Sequence, residues 1–255
     1  MWGSIIGDIV GSRFERHNIK TKRFKLFTSD CRFTDDTVMV IGTAEALLKD
    51  HDFTKSYCKW GRKYPHAGYG KGFKQWINNP VPYNSWGNGS AMRVSPVAYT
   101  SKKSADCLRI AKNSAIVSHN HEEGIKGAQA TVYVQWMCLN RFSKEEIKKQ
   151  VERKFYPLSK SIRELKKTYK FDVSCQGSVP VAIQAFLESR NFTDSIRIAV
   201  SVGGDTDTIA SITGSFSQCY YKKIPTRLIN KAKSYLTPEL LKIINKFNEA
   251  YDVKF

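Results

Sequence analysis

Residues 201–221 read SVGGDTDTIASITGSFSQCYY. Gly203 and Gly204 free the backbone to turn sharply. The chain then runs into an apolar stretch, Ile209 to Phe216. A buried helix over Thr206–Tyr221 with an acidic start is expected, its acidic end at the floor of a cleft. Asp205 and Asp207 stand two apart in the turn, so both can point to one centre, and Thr208 adds a hydroxyl. Capping and the helix dipole account for one acid at a helix start. Two acids set among two threonines exceed that need.

The same theme occurs earlier, in Phe33-Thr34-Asp35-Asp36-Thr37-Val38, ahead of a helix expected over 36–49. Four carboxylates converging unpaired would repel one another. Divalent cations remove that repulsion, and hard ions such as Mg²⁺ or Mn²⁺ prefer oxygen ligands. Two ions about 3.5–4 Å apart can activate water and hold vicinal substrate oxygens, as on a ribose diol. Cleavage of a glycosidic bond at the anomeric carbon passes through an oxocarbenium-like state, and such a site is suited to it.

Working outward, helical patterning dominates. Ile5, Ile6, Ile9 and Val10 recur at helical offsets over 2–10, with Gly3, Gly7 and Gly11 on one face. Each glycine costs a soluble helix about 1 kcal/mol against alanine. Close helix packing and close approach to a ligand both explain the stripe. Further helices are expected over 54–64, 104–117, 124–140, 143–155, 159–168, 194–202, 225–236 and 238–251. One more is expected over 180–189, with Val179-Pro180 as its first turn. From His66 to Pro96 the chain is rich in Gly and Pro but carries Tyr69, Phe73, Trp76, Tyr83 and Trp86. It reads as an ordered, partly helical loop region. No alternating strand pattern exceeds four residues. The expected class is all-α, one domain over 1–255.

The 41 Lys and Arg against 23 Asp and Glu give a net charge of +18. Such a field attracts nucleic acid, acidic lipid or phosphorylated small molecules, although a composition rich in Lys, Ile and Asn is a sufficient bland account. The run from Lys144 to Lys170 is basic, and a solvated helix face explains it as well as a phosphate-bearing partner does. The six cysteines are scattered without a C-x-x-C pair, which fits reduced thiols in the cytoplasm and no zinc site. The N-terminal apolar stretch is short and interrupted by Asp8, a poor signal peptide. Nothing reaches the length of a membrane span.

Two more segments bear on an anionic nucleotide. Trp86-Gly87-Asn88-Gly89-Ser90-Ala91-Met92-Arg93 is a glycine-rich turn entering a helix, and its N–H groups can hold a pyrophosphate. Asn-Gly is also simply a turn signal. Ser118-His119-Asn120-His121 precedes Glu122-Glu123-Gly124 at a helix junction; either histidine can cap a helix or touch a substrate.

Together these motifs resemble the ADP-ribosylglycohydrolases. The resemblance runs from GSIIGD, with Gly11 and Glu15, through FTDDT, WGNGSAMR, SHNHEEGIKGA and Gly177-Ser178-Val179-Pro180 to GGDTDT. It implies a compact orthogonal helical domain with two Mg²⁺ or Mn²⁺ ions. By motif position, Thr34, Asp35, Asp36, Asp205, Asp207 and Thr208 would bind metal, with Asp207 bridging the ions. Glu15 matches a mobile acidic residue that gates the site, and it or Asp36 is the candidate base. Trp86, Gly87, Asn88, Gly89 and Ser90 would hold the diphosphate or distal ribose, and His119 would touch substrate. The family also includes crystallin-like lens proteins; the retained metal-ligand types argue for catalysis here. The implied activity is metal-dependent removal of ADP-ribose from an ADP-ribosylated protein or other acceptor, by a monomer. Two rivals stand beside it. One is an ADP-ribose-binding module without turnover, associated with nucleic acid through its basic surface. The other is a two-metal hydrolase of phosphate esters.

Overall fold

The computed structural model describes all residues, 1–255. The expected all-α class holds: fourteen α-helices and one 3₁₀ turn, Ser95–Tyr99, make up the regular structure. The only β pairing is an isolated antiparallel bridge between Gly87 and Ser174.

The centre of the molecule is a pair of buried helices, α1 (Trp2–Gly11) and α12 (Thr206–Tyr221). All ten residues of α1 are buried, and each fully buried Ile or Val removes enough apolar surface from water to contribute roughly 1.5–3 kcal/mol. The glycine stripe resolves as helix packing. A Cβ on Gly3, Gly7 or Gly11 would lie 2.2, 2.0 or 2.4 Å from the carbonyl oxygen of Gly214, Ala210 or Thr206. Those three carbonyls step along α12 every fourth residue, so the two backbones touch along the whole length of α1.

Around this pair lie α2 (Asp35–Leu47), α7 (Glu122–Leu139), α10 (Cys175–Leu187) and α11 (Phe192–Val202). A single apolar core runs from Met1 to Val253. Outer helices close it: α3 (Phe53–Lys63), α6 (Ser104–Ile116), α8 (Lys144–Lys154), α9 (Ile162–Thr168), α13 (Thr226–Lys233) and α14 (Pro238–Ala250). Ser143 with Glu146, and Ser161 with Glu164, form capping boxes that start α8 and α9. The aromatic loop region carries α4 (Lys71–Asn78) and the single turn α5 (Gly89–Met92). Tyr69, Phe73 and Trp76 pack inward, with Phe73 stacked on Trp76 and the Trp76 indole donating to the Val117 carbonyl, while Tyr83 and Trp86 stay exposed.

The largest boundary difference from expectation is at the start of α10, and α9 and α13 are also shorter than expected. Helix α10 starts at Cys175, capped by the Ser174 hydroxyl, and Pro180 lies inside it. A proline there removes one N–H, whose partner would be the carbonyl of Gln176. Gln176 is exposed, and Ser174 supplies the start signal that Pro180 was expected to give. All six cysteines are buried and free. No helix is long and apolar enough to cross a membrane.

Candidate functional site

The starts of α2 and α12 face each other across a cavity of about 420 Å³. Thr34, Asp35 and Asp36 come to it from one helix, and Asp205, Asp207 and Thr208 from the other. The contact is direct: the Thr208 hydroxyl donates to Asp36 Oδ2 at 3.1 Å. Glu15, Gly87, Asn88, Gly89 and His119 also line the cavity. Of the remaining sequence-derived candidates, Ser90 is fully buried behind the wall, donating to the Gly124 carbonyl at 2.7 Å, and the Trp86 ring is exposed beside it.

Local chemistry explains each placement. Thr34 is the N-cap of α2 and accepts from the Asp36 N–H. Beneath it lies Asp8 of α1, a residue the sequence reading gave no role. Its carboxylate accepts from the backbone N–H groups of Thr34 and Thr37 at 3.0 and 3.1 Å, from the Thr34 hydroxyl at 2.7 Å, and from the Thr37 hydroxyl. Asp8 thereby locks the FTDDT turn onto α1. The second turn has its own clamp. Gly203 and Gly204 adopt φ of 77° and 81°, open to glycine at little cost. The Asn18 side chain accepts from Gly204 N–H at 2.6 Å and donates to Gly204, Phe14 and Glu15 carbonyls. Asn18 thus ties the Glu15 loop to the turn that carries Asp205. Asn88 donates to Asp205 Oδ2 at 2.7 Å and to the Ser178 hydroxyl at 2.9 Å, so its side chain serves the acid.

The electrostatics are those of an uncompensated acidic floor. Burial, and then the charge of Asp207, push Asp35, Asp36 and Asp205 well above the usual carboxylate range. Asp8 is pushed up to about 7 by burial and by Asp207, held back by its threonine donors. Glu15, half-buried at the rim, is raised by burial and Asp207 and pulled back by Arg16 and Arg32. His119 is driven well below its ordinary value by burial and by Arg93, so it is a neutral imidazole with Nδ1 against the Ser118 hydroxyl at 2.7 Å. His121 instead caps α7 through Nδ1.

Divalent ions fit the donor set: every cavity-facing group at the two helix starts is a hard oxygen. Asp36 Oδ1 is buried without a hydrogen-bond donor, and a buried acceptor left that way is costly. None of the four acids is in an ion pair. No three Asp, Glu, His or Cys side chains close onto a single point as a ready-made cage. The fit therefore rests on donor chemistry and on the orphaned oxygen.

An all-α fold whose cavity joins two Thr/Asp helix starts places the molecule among the ADP-ribosylglycohydrolases. The family model of that description matches residues 1–254, and the chain belongs to this family. It is 25% identical to ADP-ribosylhydrolase ARH3 of Homo sapiens, over 94% of this chain and 89% of that protein. It is 24% identical to ADP-ribosylarginine hydrolase Tri1 of Pseudomonas putida, over 86% of this chain and 68% of that one. A solved structure described as an ADP-ribosylglycohydrolase-related protein complex has the same fold, with a TM-score of 0.76 at 20% identity, covering 100% of this chain and 96% of that chain.

Proposed function

We propose that this protein hydrolyses the bond between the anomeric carbon of ADP-ribose and an acceptor, with two Mg²⁺ or Mn²⁺ ions held by Thr34, Asp35, Asp36, Asp205, Asp207 and Thr208. The carrying observation is the meeting of residues 34–36 and 205–208 on one cavity floor, with Asp36 Oδ1 buried and unpaired. Bound there, divalent ions supply the charge that offsets the acids and a Lewis acid for sugar oxygens and water. Glu15 stands at the rim with a raised pKa, suited to taking up a proton from water and returning it to the leaving group. Neutral His119 offers a hydrogen bond without adding charge, and Gly89 makes room for its ring, since a Cβ there would lie 2.9 Å from Nε2; the Gly87–Gly89 turn beside it is the proposed seat of the diphosphate or distal ribose. The floor fixes the sugar; the rim selects the acceptor. The relatives' names differ on that point, one specifying arginine.

The test is a panel of Arg-, Ser-, Asp/Glu- and nucleic-acid-linked ADP-ribose, each incubated with Mg²⁺ or Mn²⁺ and with EDTA. Release of ADP-ribose from at least one linkage, abolished by EDTA, is expected. Binding of ADP-ribose with no release from any linkage would identify a reader and overturn the proposal.

A further inference from the structure

We infer that a strip beside the cavity mouth docks single-stranded nucleic acid, and that the ADP-ribosyl group removed is carried on such a strand; the second part rests on the function proposed above. Two basic segments meet there. Residues 13–25 hold six Lys and Arg against Glu15, and residues 160–170 hold five against Glu164. They are joined by the Lys20 ammonium, which donates to the Tyr169 carbonyl at 3.5 Å and to the Val202 carbonyl on the turn before Asp205. Lys20, Lys22 and Lys166 are close enough for Lys166 to feel the other two charges. Four acids lie nearby, Glu15, Glu164, Asp172 and Asp194, the last paired with Lys22. Against the eleven Lys and Arg of the two segments they leave this surface net positive.

The strip continues into exposed apolar side chains. Phe171 and Val173 line the cavity mouth and are 55% and 53% exposed. Trp86, 53% exposed, is joined to them through the hydrogen bonds from Cys175 N–H to the Trp86 carbonyl and from Asn88 N–H to the Val173 carbonyl. Tyr83, also exposed, stands on the same wall. Most of the chain's exposed large apolar side chains thus gather at this one mouth. Basic side chains that follow a phosphate backbone, interleaved with exposed rings on which bases stack, are the elements of single-strand recognition. An acidic peptide would use the lysines but leave the rings without a partner. Arg16 and Arg32, at the cavity edge, extend the positive path to the acidic floor.

The test is fluorescence anisotropy of a labelled 12-nucleotide single-stranded DNA across a salt series, with the intact protein. Binding that weakens by a log–log slope of about 0.7 per phosphate contact is expected. Lys167→Glu with Lys170→Glu should weaken it at least about tenfold. Lys242→Glu with Lys246→Glu, the same charge change on the separate groove between α2, α3 and α14, should leave it within about twofold. Phe171→Ala should weaken it about tenfold. Equal losses in the two lysine variants, or no loss on removing the ring, would mean attraction by net charge alone and overturn the inference. Release of ADP-ribose is followed in parallel from an oligonucleotide and from peptides. Release from peptides alone, without DNA binding, sinks the docking strip and leaves the hydrolase standing. DNA binding without release from any substrate does the reverse.

Discussion

Asp36 concentrates the conflict that defines the site: it is buried, it has one oxygen without a donor, and it faces Asp207, Asp8, Asp35 and Asp205. Asp36→Ala should therefore cut ADP-ribose release at least about hundredfold, since even outer-shell partners of a metal are worth 10–100-fold. The same change should leave the metal-free protein at least as stable, because it deletes a repelled charge. Activity assays beside thermal unfolding in EDTA check both. The raised pKa values of Asp35, Asp36 and Asp205 fix a sign. An acid harder to ionise in the fold than in the unfolded chain destabilises the fold as pH rises above the unfolded value, near 3.9. The stabilisation gained from Mn²⁺, read as the shift in Tm against EDTA, should therefore grow from about pH 5 to pH 8. A constant or shrinking shift would contradict the electrostatic account. At this scale the sequence exposed the paired acids directly, because Asp and Thr cluster visibly at 34–37 and 205–208. Asp8 stayed hidden. It reads only as a polar break in an apolar run, and its role depends on α1 lying under the start of α2.

Helix α12 carries its acids into the cavity only as far as α1 lets it approach. Gly7→Ala would set a Cβ 2.0 Å from the Ala210 carbonyl, forcing the helices apart. A loss of about 1–3 kcal/mol of stability is expected, together with weaker Mn²⁺ binding as Asp207 shifts. Gly70→Ala, with nothing within 4 Å of the new Cβ, is the clash-free control and should lose only about 0.5–1 kcal/mol, as alanine is a poorer N-cap for α4. Thermal unfolding of the pair decides it. Asn18→Ala should loosen the Glu15 loop from the Gly203-Gly204 turn. Because Asn18 touches neither acid through its side chain, the expected signature is a fall in kcat with Mn²⁺ stoichiometry retained. The glycine period was readable from the sequence, and its meaning was not: a stripe of small residues fits a helix or a ligand equally well until a partner backbone is placed against it. Pro180 misled for a related reason. Proline favours a first turn, but the Ser174 hydroxyl already supplied the cap six residues upstream.

Across the whole molecule, the fold's work is to bring residues 34–36 and 205–208 together from distant parts of the chain. The all-α class followed from periodicity alone. The meeting of the two acidic starts did not: no local signal states that two helix ends share a cavity, and the expectation came from the repeated Thr/Asp theme and from the resemblance of the motifs. The distribution of charge was equally illegible. A net +18 says nothing of where the lysines gather, whereas the fold sets two basic segments and a row of exposed rings beside an acidic floor. That contrast of a positive rim over a negative floor suits the polyanionic substrate proposed above, whose sugar must reach the acidic floor. The central claim is that this floor holds a pair of divalent ions. Calorimetric titration of the metal-free protein with Mn²⁺ tests it most directly: two ions per chain are predicted for the wild type, with binding disrupted in Asp36→Ala and in Asp207→Ala. No binding by a folded wild-type protein, or unchanged stoichiometry and affinity in both variants, would contradict it.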